Sequence, residues 1–174
     1  ILLFQQVQAL GIPSWSCGFN IFEKGDNECT GWMSSNGILQ PPFKVPLSES
    51  PTFMRFYESK QQNEDFYVET VEGATLESHY RYMMSLSGFK EIGENFVKSG
   101  FSFPTLQMNH IVNFTKGNLI FITGQPIPES HDILKRFASV FEQTYTRFLD
   151  LQKVEAQALE VLRRSTVDRV RAEI

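Results

Sequence analysis

Along the first two thirds of the chain, apolar residues recur with a period of two in some stretches and of three to four in others. Trp15, Cys17, Phe19 and Ile21 alternate with Ser16, Gly18 and Asn20, the pattern of a strand with one buried face. Lys24-Gly25-Asp26-Asn27 reads as a turn, and Glu28 to Ser35 as the returning strand of a hairpin. Gly37 to Pro51 carries four prolines and reads as loop or sheet edge. Thr52 to Gln62 predicts a helix with Phe53, Phe56 and Tyr57 inward. Phe66 to Glu72 predicts a strand ended by Gly73. Thr75 to Leu86 predicts a helix with Leu76, Tyr80, Met83 and Met84 on one face. A short helix is expected around Lys90 to Lys98. Met108 to Thr115 predicts a strand, Lys116-Gly117-Asn118 a tight turn, and Leu119 to Thr123 a central strand, because its apolar run leaves no face for solvent.

The two ends are helical. Ile1 to Leu10 is a short amphipathic helix closed by Gly11 and Pro13. From Pro128 to Ile174 there is no further Gly or Pro, and Ser130 is placed to cap a long helix. Ile133, Leu134, Phe137, Val140, Phe141, Tyr145, Phe148 and Leu149 give its first part a broad apolar face. From Gln152 onward charges dominate. Phe141, Phe148 and Leu162 lie on one heptad row, and Leu151 and Ala158 on the companion row. Glu155 and Arg169 interrupt the first row and Ser165 the second, while Val167, Val170 and Ile174 continue a shifted seam. A helix of this kind is weakly stable alone, since most helical stability comes from packing. The expected partner is a second copy, giving a parallel homodimer through the first and last helices.

The element order therefore predicts an α+β fold: a central antiparallel sheet with helices on both faces and a long C-terminal helix. The first and last helices are expected on one face. The helices starting near Thr52 and Thr75 are expected on the other, where they can enclose a cavity.

Composition narrows the function. The chain has 174 residues, 41% of them hydrophobic, with sixteen Phe. A net charge of -4 gives no electrostatic case for nucleic acid. No apolar run is long enough for a membrane span. The chain begins at Ile1 and ends within a helical pattern, so it reads as a piece of a longer protein. Cys17 and Cys29 do not make a disulfide framework, and a reducing cytoplasm is expected.

Catalytic chemistry finds little support. There is no nucleophile elbow, P-loop or dinucleotide fingerprint. Glu69 and Glu72, at odd spacing on one strand, point to opposite faces. Cys17 shares an apolar face and reads as an inert thiol. His79, His110 and His131 have no metal-ligand spacing, so neither catalytic nor metal residues are expected. The better clue is the aromatic surplus, including Trp15, Phe19, Trp32, Tyr67, Tyr80, Tyr82 and Phe101. A pocket against the sheet is expected to be lined by His79, Tyr80, Met83 and His110, with Met84 and Asn109 nearby.

The order of elements resembles a GAF domain, a sensor module related to PAS domains. The resemblance is strongest from Met108 on, in Asn118-Leu-Ile-Phe-Ile-Thr, Pro128-Glu-Ser-His-Asp-Ile-Leu-Lys-Arg-Phe-Ala and Val140-Phe-Glu-Gln-Thr-Tyr-Thr-Arg-Phe-Leu-Asp-Leu-Gln-Lys. These segments are similar to GAF-like regions upstream of bacterial histidine kinases, adenylate cyclases and DNA-binding regulators. Val167-Asp-Arg-Val-Arg-Ala resembles the linker helix that follows such domains. The resemblance implies a sensor domain over 1–150 and a signalling helix over 151–174. It implies a cytoplasmic input module that passes a ligand-induced change to an output domain outside this chain. Its ligand is unspecified, since GAF-like relatives bind cyclic nucleotides, tetrapyrroles, haem or small metabolites, and some bind nothing. The alternative is a ligand-free dimerisation module with the pocket filled by its own side chains.

Overall fold

The computed structural model describes residues 2–22, 25 and 27–172, with side chains as far as 167. The expectations for Ile1, Lys24, Asp26 and Ile174, and for the side chains of Arg169 and Val170, lie outside the described residues. The elements, in order, are α1 (Leu2–Ala9), β1 (Ser14–Phe22), β2 (Glu28–Ser35), β3 (Ile38–Leu39), β4 (Phe43–Pro46), α2 (Pro51–Gln61), β5 (Phe66–Glu72), α3 (Gly73–Ser85), α4 (Ser87–Lys98), β6 (Leu106–Phe114), β7 (Gly117–Thr123) and α5 (His131–Ala172). A single 3-10 turn, Pro128–Ser130, leads into α5.

The seven described strands form one antiparallel sheet in the order β3-β2-β1-β7-β6-β5, with β4 also paired to β2. The fold is α+β, as its periodicities predict. β7 lies between β1 and β6, and all seven of its residues are buried. Its Ile120 and Ile122 face one side, and Leu119 and Phe121 the other, so each parity is apolar because each face is covered.

Pairing register assigns the faces. One cross-strand row runs Ser35, Ser16, Ile122, Asn109, Glu69; the next runs Ser34, Cys17, Phe121, His110, Val68. Directly opposed residues share a face and neighbours along a strand do not, so Asn109 and His110 look to opposite sides. The Ile122 face carries the main apolar cluster, which includes Phe43, Phe53, Phe56, Met83, Phe89 and Ile120. The Phe121 face meets the first turns of α5, where Phe137 packs on Phe121 and His131 lies beside His110 and Phe66. α1 packs against β1 and buries Phe4 and Val7.

Some details differ from the sequence expectations, among them the start of α4 at Ser87 and not near Lys90. The β6–β7 turn is Thr115-Lys116, because Phe114 already pairs with Gly117. Gly73 opens α3 rather than merely closing β5; at φ +55 it makes the abrupt change of direction that a side chain would oppose. β1 is not half-buried with a solvent face. Its polar residues Ser16 and Asn20 are among the most buried side chains, at 2% and 4% exposure.

The chain divides into two compact units, Ile1–Ala138 and Ser139–Ile174, and the division falls within α5. The second unit is a helix whose side chains from Leu151 to Val167 are all exposed. Phe141, Tyr145 and Phe148 form a ladder of rings along it, with centroids 5.8 and 6.3 Å apart. No described helix is long and apolar enough to cross a membrane.

Candidate functional site

Between the Ile122 face of the sheet and helices α2, α3 and α4 lies a chamber of about 80 Å³. The helices line it because each presents apolar residues to the sheet. α2 brings Phe53 and Phe56, α3 brings His79, Tyr80 and Met83, and α4 brings Phe89, Ile92 and Phe96. In α4 the contribution of Gly93 is space: a methyl group there would meet Met84 Sδ at 2.2 Å. Rings therefore dominate the walls. Phe96 stacks on both Phe101 and Phe103, and Tyr80 stacks on Phe103 with centroids 4.3 Å apart.

The floor, contributed by the sheet, is polar. Ser16, Asn20, Ser35, Gln107 and Asn109 all reach the chamber. Asn20 Nδ2 donates to Asn118 Oδ1 (2.8 Å) behind the floor, and the other four are paired in two groups. In the first, Tyr80 donates its phenol to Gln107 Oε1 (2.6 Å), Gln107 Nε2 donates to Asn109 Oδ1 (3.1 Å), and Asn109 Nδ2 donates to Glu69 Oε2 (3.3 Å). In the second, Gln40 Nε2 donates to Ser35 Oγ (2.9 Å), which meets Ser16 Oγ at 2.8 Å. Such pairing is what allows amides and hydroxyls to be buried at all.

Among the described residues, two buried lining atoms have no partner, Trp15 Nε1 and His79 Nδ1. The indole N–H is a donor only, while the imidazole nitrogen donates or accepts according to tautomer. Trp15 reaches the chamber although its parity matches Cys17, because the β1–β7 register shifts between Ser14 and Ser16. A bulge of this kind re-aims one side chain.

Burial sets the electrostatics. It pushes His79 from its ordinary 6.5 down to about 4, so the ring is neutral at pH 7. It pushes Tyr80 up, leaving the phenol a hydrogen-bond donor. Glu69, at the end of the Tyr80 chain, is raised by burial, with the Asn109 hydrogen bond and the Arg55 charge opposing. Among the described residues no Lys, Arg, Asp or Glu lines the chamber.

The chamber shares walls with two outer grooves. Thr52 and His79 also line a groove of about 350 Å³ at the starts of α2 and α3, together with Glu49 and Ser78. Ser35, Gln40, Ile92 and Phe96 also line one of about 410 Å³ beside the β3–β4 segment.

Of the four expected site residues, His79, Tyr80 and Met83 line the chamber together. His110 does not. It lies on the Phe121 face, fully buried, with Nε2 2.9 Å from Thr123 Oγ1 and its ring 5.5 Å from that of His131. The correction follows from parity: the cavity face of β6 carries Gln107, Asn109 and Ile111, and His110 is out of step with all three. Of the two flanking expectations, Asn109 lines the chamber, and Met84 instead packs against the apolar cluster. Ser16, Asn20, Ser35 and Gln107 are the residues that sequence reasoning missed. For Ser16 and Asn20 the signal was present as an alternating polar set on β1, but it reads as a solvent face; Ser35, at the end of β2, and Gln107, at the start of β6, carried none. Cys17 is buried on the Phe121 side, its thiol pushed up to about 12 by burial, which leaves it un-ionised and poorly nucleophilic.

No protein-family model, no curated protein and no solved structure matches this chain.

Proposed function

We propose that this protein is a GAF-like, small-molecule-sensing input domain. In this reading the chamber takes the ligand, and α5 passes the change to an output such as a histidine kinase, adenylate cyclase or transcription regulator of a bacterial cytoplasmic signalling protein. The observation that carries the reading is a chamber between helices and sheet with aromatic walls, a paired polar floor and, among the described residues, two unpartnered polar atoms. A chamber kept only for packing would be filled, because interiors approach crystal density. Unpartnered buried polar atoms cost about 1–3 kcal/mol each unless something pairs with them. No residue is assigned a catalytic role.

A second reading is favoured by one number. At about 80 Å³ the chamber lies below the roughly 300–1,000 Å³ of ordinary ligand pockets, as expected of a ligand-free dimerisation module. Native mass spectrometry separates the two. Sensing predicts a small molecule that stays with the native protein, is released on denaturation, and is absent from a Met83→Trp variant that fills the chamber. The structural reading predicts the bare chain mass for both proteins, and no rise in melting temperature with any neutral small molecule tested.

A further inference from the structure

Resting on the sensing reading, we infer that the chamber selects an uncharged, flat, single-ring aromatic molecule with a hydrogen-bond acceptor at its edge. Three observations converge on this class. The described lining holds no formal charge. A phosphate, carboxylate or ammonium group placed there would lose its hydration with no counter-ion to replace it, which is strongly unfavourable. The walls are predominantly rings, with Trp15, Phe53, Phe96, Phe103 and Tyr80 among them, and aromatic rings offer a planar guest stacked or edge-on contacts. The unpartnered donor Trp15 Nε1 and the unpartnered His79 Nδ1 then specify what the guest's edge must carry: an acceptor for the indole N–H and a polar atom for the imidazole.

Size sets the upper limit on the guest. An apolar cavity of roughly 150 Å³ is known to admit benzene, and this chamber is about half that. One ring therefore enters only as side chains give way, and Met33 and Met83, both lining residues, are the flexible ones. A fused macrocycle with carboxylate arms, or a nucleotide, meets both a size limit and an uncompensated charge. Thr52 and His79 line both the chamber and the groove at the starts of α2 and α3, so a shift of these two side chains would join the chamber to solvent.

The test compares four near-isosteres: benzamide (neutral and flat), benzoate (anionic), benzamidine (cationic) and cyclohexanecarboxamide (neutral but not flat). The readout is the indole N–H resonance of Trp15 in the full chain, distinguished from that of Trp32 by a Trp32→Phe variant. Benzamide is expected to move the Trp15 resonance saturably at millimolar concentration, with the other three at least tenfold weaker. Trp15→Phe is expected to weaken benzamide several-fold, read by melting temperature. Equal or tighter binding of benzoate, benzamidine or cyclohexanecarboxamide overturns the inference and leaves the sensing reading standing. Xenon separates the remaining outcomes. If xenon shifts chamber resonances while none of the four binds, the ligand class is wrong. If xenon and all four leave the spectrum unchanged, the chamber is closed and the sensing reading fails with the inference.

Discussion

Tyr80 and Gln107 join α3 to the sheet through one short hydrogen bond, phenol to amide oxygen at 2.6 Å. Tyr80→Phe keeps the ring stacked on Phe103 but leaves Gln107 Oε1 without this donor in a buried setting. The expected loss is about 1–2 kcal/mol, read as a lower urea midpoint with unchanged slope. In a double-mutant cycle with Gln107→Leu the two losses should not add, because they remove the same bond. Additive losses would mean that the pair does not couple helix and sheet.

The histidines give an acid limit. His79 and His110 are each pushed from 6.5 to about 4, both chiefly by burial, with His131 adding to the effect on His110. The unfolded chain therefore binds protons that the native one refuses between about pH 6.5 and 4, so stability falls as pH drops through that window and levels off below it. His79→Phe should flatten part of the slope, and native His79 should show neutral-ring carbon shifts down to about pH 5. A His79 that titrates near 6.5 in the folded protein would contradict the burial that holds its ring neutral.

Gly117 is required by contact rather than by conformation. A methyl group there would lie 1.8 Å from the Asn20 carbonyl oxygen, on the paired strand β1. Backbone on both sides leaves no flexible side chain to yield. Gly117→Ala should cost on the order of 3 kcal/mol, the upper range for overpacking, while Gly124→Ala, where nothing lies within 4 Å, should be nearly neutral. Equal melting temperatures would refute this.

These sites show what the sequence could and could not tell. Leu119 to Thr123 was legible as a central strand because apolar residues at both parities exclude a solvent face. The helices α2 and α3 were legible from their aromatic and Met spacing, and with them His79, Tyr80 and Met83. The polar floor was not. Alternation says which residues share a face but not which face is buried, so Ser16 and Asn20 read as solvent-facing when helices cover them. His110 failed for the same reason, since Met108, Val112 and Phe114 shared its parity and the cavity lay under Asn109. The Trp15 bulge carries no sequence signal of its own. The β2–β3 turn did: Asn36-Gly37, at φ +47 and +79, is the dipeptide favoured in two-residue hairpins, but it fell at the junction between the strand read to Ser35 and the proline-rich stretch read as loop or edge from Gly37.

The last prediction concerns the second unit. In α5, Val140, Phe148, Leu151, Val154, Leu159, Val161 and Leu162 are each between 50% and 68% exposed. Phe148 and Leu162 occupy one heptad row and Leu151 the companion row. Val140, Val154, Val161 and Leu159 flank them, so the apolar face is broader than a two-row seam. The 42 residues of the helix span roughly 63 Å at about 1.5 Å each. A face repeating at heptad spacing is complementary to a second copy of itself, and pairing in parallel removes it from water. α1 adds less than its composition implies, since Phe4 and Val7 turn into the first unit and Leu2 is left exposed. Glu155 and Ser165 within the seam would weaken such a pair, which would suit the proposed sensing function, where a signal must choose between helix arrangements close in free energy. Sedimentation at tens of micromolar should therefore give a dimer in reversible exchange with monomer. Leu151→Glu with Leu162→Glu, or truncation at Gln152, should yield monomer while the far-ultraviolet spectrum of the sheet and the chamber's xenon response persist. A monomeric full chain, or a truncated chain that dimerises as well as the whole, would remove α5 from the assembly.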